Sequence, residues 1–308
     1  MSELPVIAEA SISDKAWKVL ENAYDLHVHV APDIIERRID DIDLARDFLS
    51  KNLRGFVLKS HYLSTVERAR VVSKAVPGAA VYGGMVLNHS IGGLNPLAVE
   101  IAGRGGCKII WMPTVDAKNE TAGRAEGGNE KLPFWAKIQR ELAAIDIYPP
   151  PITVLDESGG ITKTVHACLD LIARHEMILA TGHLGRHEIY KLVAAAREHG
   201  VRKILITHAE FPSQNLSASE QAELVSMGAL IEHCYTTMYL GKASWKTVIA
   251  NIRSVGYEHS VLSTDSGQLV NPPVTECFGT FAQRLLDAGF AAEEVHRMAA
   301  INPENLLS

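Results

Sequence analysis

The stretch Ala23–Val30, AYDLHVHV, decides the reading of the fold. It is an apolar, β-leaning run, followed by a segment of helical period over Asp41–Asn52. Working outward, the alternation repeats. Gly55–Lys59 (GFVLK) precedes a helix over Thr65–Ala75, and Ala80–Leu87 (AVYGGMVL) precedes one over Pro96–Arg104. Cys107–Met112 (CKIIWM) is the fourth run. Met177–Thr181 (MILAT) follows a helix over Thr164–His175, and Lys203–Thr207 (KILIT) follows one over His187–His199. Ala229–Glu232 (ALIE) follows Ala218–Met227, and Ser260–Thr264 (SVLST) follows Trp245–Val255. Two short helices near Cys277–Ala288 and Ala292–Ala299 close the chain. Eight strands alternating with helices predict a (β/α)8 TIM barrel. The rival, a doubly wound open sheet, lacks a GxGxxG at a strand–helix turn.

The length of 308 residues divides into about two average domains, but barrels of this kind use as much in one. The expectation is therefore a single domain over residues 1–308 with a long insertion after strand four. That insertion, residues 115–160, holds the polar run AKNETAGRAEGGNEK, a helix from Pro133 to Ala144, and a small hairpin turning at Ser158-Gly159-Gly160. Arg124 within it is placed to reach over the site if the loop acts as a lid.

A formal charge of −6 without a basic run argues against nucleic acid or an anionic membrane as partner. No apolar run approaches the ~20 residues needed to span a bilayer. The start, MSELPVIAEASISDKAW, lacks the basic and apolar regions of a secretory signal. Cys107, Cys168, Cys234 and Cys277 form no CxxC pair. This reads as reduced thiols in a cytoplasmic protein. The expected partner is a small-molecule substrate, with self-association through helical faces left open.

Histidine carries the chemical information. Residues two apart in a strand share a face, so His27 and His29 point the same way at the end of strand one. Strand five ends in Gly182-His183, strand six in Thr207-His208, and strand eight in Thr264-Asp265. Strand two runs into Lys59-Ser60-His61, and strand seven ends at His233. In such a barrel these ends converge on one face, where active sites sit. Imidazoles with one carboxylate suit Zn²⁺ first, with Mn²⁺, Fe²⁺ or Ni²⁺ as alternatives, and one or two ions. His166, His175, His187, His199, His259 and His296 fall on helices or turns and read as structural or solvated.

The pattern DLHVHVAPD, TGHLG, ITHAEF and STDSG, closed by Asn302-Pro303-Glu304-Asn305-Leu306-Leu307, resembles the amidohydrolase superfamily of metal-dependent hydrolases. Within it the chain resembles a poorly characterised branch carrying VLKSH on strand two and GLNP…WMPT on strands three and four. The resemblance implies that His27 and His29 hold the more buried ion. It implies that His183 and His208 hold a second, and that Asp265 ligates the first and accepts a proton. Many two-metal members bridge their ions with a carboxylated Lys at the end of strand four. Here that strand ends Trp111-Met112-Pro113-Thr114, which makes Lys59 the substitute bridge. Without a bridge the site is mononuclear, with His208 as a substrate contact.

His61 and His233 are candidate substrate contacts, as are Arg37 and Arg38, whose guanidinium groups suit an anion. The expected reaction is metal-assisted attack of water on an amide, cyclic amide, lactone or ester. A mononuclear decarboxylase or hydratase of the same superfamily is the alternative. A barrel that keeps its histidines but only binds is the less favoured one.

Overall fold

The computed structural model describes residues 11–122 and 134–308. Its frame is eight strands: β1 (Tyr24–Val28), β2 (Gly55–Leu58), β3 (Ala80–Val86), β4 (Ile109–Trp111), β5 (Ile178–Ala180), β6 (Ile204–Ile206), β7 (Leu230–Cys234) and β8 (Ser260–Ser263). They pair in chain order, every pair parallel. Just past β8 the Asp265 backbone N donates to His27 O and His29 N donates to Ser266 O, each at 2.8 Å. These bonds bring β8 onto β1, and the predicted (β/α)8 barrel is the observed one.

The expected helices form between the strands, at Asp41–Ser50, Val66–Ala75, Pro96–Arg104, Lys163–Arg174, Arg186–Glu198, Ala218–Ser226 and Trp245–Val255, and after the last strand, at Val274–Asp287. Their starts are written locally. Asp40, Asn95, Thr162, Ser217 and Ser244 each accept from a backbone N–H of the first turn. Each such cap contributes about 1 kcal/mol.

Packing divides by strand parity. Leu26, Val57, Ile109, Trp111, Ile178, Leu205 and Val261 fill the barrel interior. Phe56, Leu58, Ile110, Leu179, Ile206 and Leu262 face the helices. Trp111 is the largest fully buried side chain. A Cβ on Gly84 would stand 2.3 Å from its ring, so glycine in β3 makes room for the indole. Leu306 and Leu307 pack with Tyr24 at the strand starts. Asn302 fixes them there, its Nδ2 donating to Tyr257 O and Ser260 O, both at 2.8 Å.

Four features depart from expectation. A helix Asp14–Val19 precedes β1, and another, Tyr235–Tyr239, follows β7 directly. The final helix expected over Ala292–Ala299 is α-helical only to His296, after which Arg297–Ile301 widens into a π turn. Within residues 115–160, helices span Lys118–Ala122 and Phe134–Ala143. The expected hairpin is a turn closed by one antiparallel bridge, Leu155 to Ile161, with Asp156 Oδ1 accepting from Ser158 N and Gly160 N. Arg124 lies outside the described residues. Among the described residues no helix is long and apolar enough to cross a membrane.

Candidate metal centre

The geometry begins with an irregularity in β1. Its register with β2 shifts between Asp25 and Val28. Leu26 packs in the barrel interior, yet His27 also turns inward, while Val28 and Val30 join the outer core. Such a bulge re-aims side chains. Buried Asp25 supports it: Oδ1 accepts from His27 N at 3.1 Å and from Thr264 N at 3.0 Å, and Oδ2 accepts from Thr264 Oγ1 at 2.6 Å. Burial pushes the Asp25 carboxyl up to about 7, against the pull of the Thr264 hydrogen bonds.

At the other strand ends the backbone itself is bent. His208, after β6, has φ 27°, and Asp265, after β8, has φ 53°. Non-glycine residues held there cost about 1–3 kcal/mol each and concentrate at functional sites. Gly182, before His183, has φ 59°, and a Cβ there would meet Met112 O at 2.3 Å. Only glycine fits the turn that carries His183.

These devices bring the expected residues together. His27 Nε2 lies 3.1 Å and His29 Nε2 3.2 Å from Asp265 Oδ1. The donor atoms of these three residues all lie within 4.8 Å of one another. Lys59 Nζ lies 2.9 Å from His27 Nε2 and 5.4 Å from the centre of the Trp111 ring, which forms the floor. The His208 ring stands 5.9 Å from His27 and 4.9 Å from His183. His61 stacks on His29 at 4.9 Å, its Nδ1 2.8 Å from Thr114 Oγ1. Thr236 Oγ1 donates to Asp265 Oδ2 at 3.1 Å.

Two carboxylates absent from the sequence reading hold the imidazoles. Glu232, inward-facing on β7, has Oε2 3.2 Å from His27 Nδ1 and accepts from His208 N at 3.2 Å. Glu120, in the helix Lys118–Ala122, has Oε2 3.3 Å from His183 Nδ1. Both are the outer partners a ligand imidazole uses to present its other nitrogen. Cys234 also sits beneath the centre, its Sγ 3.8 Å from His27 Nδ1.

His233 requires correction as a substrate contact. It alternates with Glu232 along β7 and therefore faces the helices. There its Nδ1 lies 2.9 Å from Glu210 Oε1, which also accepts from Gln221 and Asn251. The two arginines separate. Arg37 is buried and bound to Asp33 at 2.7 Å, with its charge felt at His29 and His61. Arg38 is exposed and donates to Leu269 O at 2.6 Å.

The electrostatics suit a cation. Burial holds the imidazoles of His29, His61 and His208 well below the usual range and lowers that of His183, leaving neutral lone pairs. Burial and the Lys59 charge pull His27 down too, but Asp265 and Glu232 outweigh them and raise it to about 9. Burial lowers Lys59. His29 Nδ1 and His208 Nδ1 are buried with no hydrogen-bond partner among the described residues. Buried polar atoms are rarely left so; on the opposite side of the His29 ring, Nε2 converges with His27 Nε2 and Asp265 Oδ1 in a nitrogen and carboxylate donor set that fits a divalent ion.

Comparison with known proteins agrees with the barrel. The structure superposes on an amidohydrolase from Pseudomonas aeruginosa with a TM-score of 0.58 and 10% identity, over 95% of this chain and 98% of that one. For the probable dipeptidase PvdM from Pseudomonas aeruginosa the TM-score is 0.60 and the identity 12%, over 95% and 96%. For a triple mutant of an organophosphorus hydrolase from Deinococcus radiodurans they are 0.50 and 13%, over 94% of each chain. At these identities the likeness is one of fold. No curated relative matches the chain. Residues 22–232, which carry β1 through the inward Glu232 of β7, match the model described as a family of unknown function, and the chain belongs to that family, DUF6282.

Proposed function

We propose that the chain is a metal-dependent hydrolase that directs water at an amide, cyclic amide, lactone or ester of a small molecule. The observation that carries this reading is the convergence of His27 Nε2, His29 Nε2 and Asp265 Oδ1 at the mouth of the barrel. The folds it resembles include an amidohydrolase, a dipeptidase and an organophosphorus hydrolase. A divalent ion bound there supplies Lewis acidity toward a substrate oxygen and makes a water easier to deprotonate.

The chain's own residues supply the rest. His27, His29 and Asp265 would hold one ion, and His183 and His208 a second. Asp265, part-exposed and steadied by Thr236, accepts the proton of the attacking water and returns it to the leaving group. Lys59, desolvated beside His27, would add to CO₂ as the free amine. Loss of one proton then leaves a carbamate with two oxygens for two ions. One observation favours a single-ion version: among the described residues both tight donor groups, His27 with His29 and Asp265 and His27 with Glu232 and Cys234, share His27, while His183 and His208 belong to neither. A mononuclear decarboxylase or hydratase is the corresponding second reading.

The test is metal analysis of purified protein followed by turnover of an amide, lactone and ester panel with Zn²⁺, Mn²⁺, Fe²⁺ or Ni²⁺. Chelation should abolish turnover, readdition should restore it, and Asp265→Asn should lower kcat about 10²–10⁴-fold. Protein that binds no divalent ion, or turnover indifferent to chelator, overturns the proposal.

A further inference from the structure

We propose that Lys242 selects the substrate of this centre, binding a carboxylate on a molecule whose apolar body lies along Phe211. This deepens the hydrolase reading and rests on it for the identity of the site.

Lys242 belongs to the connection that leaves β7 through the helix Tyr235–Tyr239. The connection is pinned: Lys242 N donates to Thr237 O at 2.9 Å and Ala243 N to the same oxygen at 3.1 Å. The neighbouring Thr236 is the residue that donates to Asp265 Oδ2. The loop is therefore tied one residue from a contact to the candidate base. Connections at the C-terminal ends of the strands build the active sites of such barrels.

The side chain is exposed but not directed at random. Its Nζ lies 3.8 Å from the centre of the Phe211 ring. That ring stands 4.8 Å from His208 and stacks on His183 at 6.0 Å. A cation over an aromatic face at an exposed site gains about 0.5–1 kcal/mol, enough to favour this position over free solvation. The charges of Asp265 and Glu120 act on the ammonium, yet the ion pairs of those carboxylates are to His27, His29 and His183. Among the described residues no carboxylate pairs with Lys242.

Two other described cations of the candidate site are committed differently. Arg37 is bound to Asp33, and Lys59 is buried against His27. Lys242 is thus a positioned positive charge beside an aromatic surface that leads to the imidazoles. An ammonium is a compact charge with three donors, suited to a carboxylate. A substrate seated on Phe211 with its carboxylate at Lys242 would present a bond nearer its centre to His183 and His208.

Calorimetric titration of the zinc-loaded protein with hippurate and with its neutral analogue hippuramide tests this. The pair shares an aromatic body and an amide and differs in the carboxylate. Wild type should bind hippurate about tenfold more tightly, the scale of one charge-assisted contact. Lys242→Gln should reduce the preference to within about twofold, and Lys242→Arg should keep most of it. Equal affinities in wild type, no binding of either ligand, or a preference surviving Lys242→Gln overturns the assignment. The readout is binding, so the two proposals fail separately. Metal-dependent turnover without acid preference removes only the role of Lys242. Acid preference lost in Lys242→Gln without any turnover removes only the hydrolase.

Discussion

Glu232 steadies two candidate ligands at once, with Oε2 3.2 Å from both His27 Nδ1 and His208 N. Burial opposes its charge, but His27 holds the carboxyl below its usual range. Glu232→Gln keeps the shape and an accepting oxygen while removing the charge that raises imidazole basicity. Zinc affinity should fall about 10–100-fold, read by competition with a chromophoric chelator. An unchanged affinity would mean that Glu232 only fills space. The sequence pointed to its neighbour instead. His233 stood out as a histidine at a strand end, and Glu232 did not. A strand buried on both faces shows no apolar–polar alternation to tell which side is inward. His27, His29, His183, His208 and Asp265 were legible because several independent strand ends carried them; their outer partners, coming singly from β7 and a short helix, were not.

At the scale of elements, all eight strands were readable, since the period changes from strand to helix and back at each boundary. What the pattern could not carry is the shift within β1 that turns both Leu26 and His27 inward. Bulges are set by partners far along the chain, here Thr264, 239 residues from Asp25. Asp25 accepts three buried hydrogen bonds, one from His27 N within β1 and two from Thr264 that join the end of β8 to it. Asp25→Ala would leave those donors unpaired. Unfolding by urea should show a loss of about 2–4 kcal/mol, and Asp25→Asn a smaller one, because the amide oxygen still accepts. A loss under about 0.5 kcal/mol would show that the bulge is held by the backbone alone. The helix Tyr235–Tyr239 escaped for a related reason: one short turn is below the reach of periodicity.

Across the whole molecule, the residues that would hold the ion come from β1 and the ends of β2, β5, β6 and β8, so the centre exists only when the barrel is closed. The closure itself runs through them: Asp265 N donates to His27 O, and His29 N to Ser266 O. The strained backbones of His208 and Asp265 are costs carried by the folded state. An ion that binds the closed barrel and not the unfolded chain offsets them by mass action. At a free zinc concentration 100 times Kd this linkage is worth about 2.7 kcal/mol. For a chain of 308 residues that corresponds to a rise in Tm of about 4 °C. Differential scanning fluorimetry of chelated and zinc-loaded protein should show the rise. His29→Ala should abolish most of it; the variant also loses the Nε2 contact to Asp265 and the stack on His61 and melts lower when chelated, so the shift is read between its own chelated and zinc-loaded forms. A zinc shift that persists undiminished in His29→Ala would place the binding ion elsewhere on the molecule.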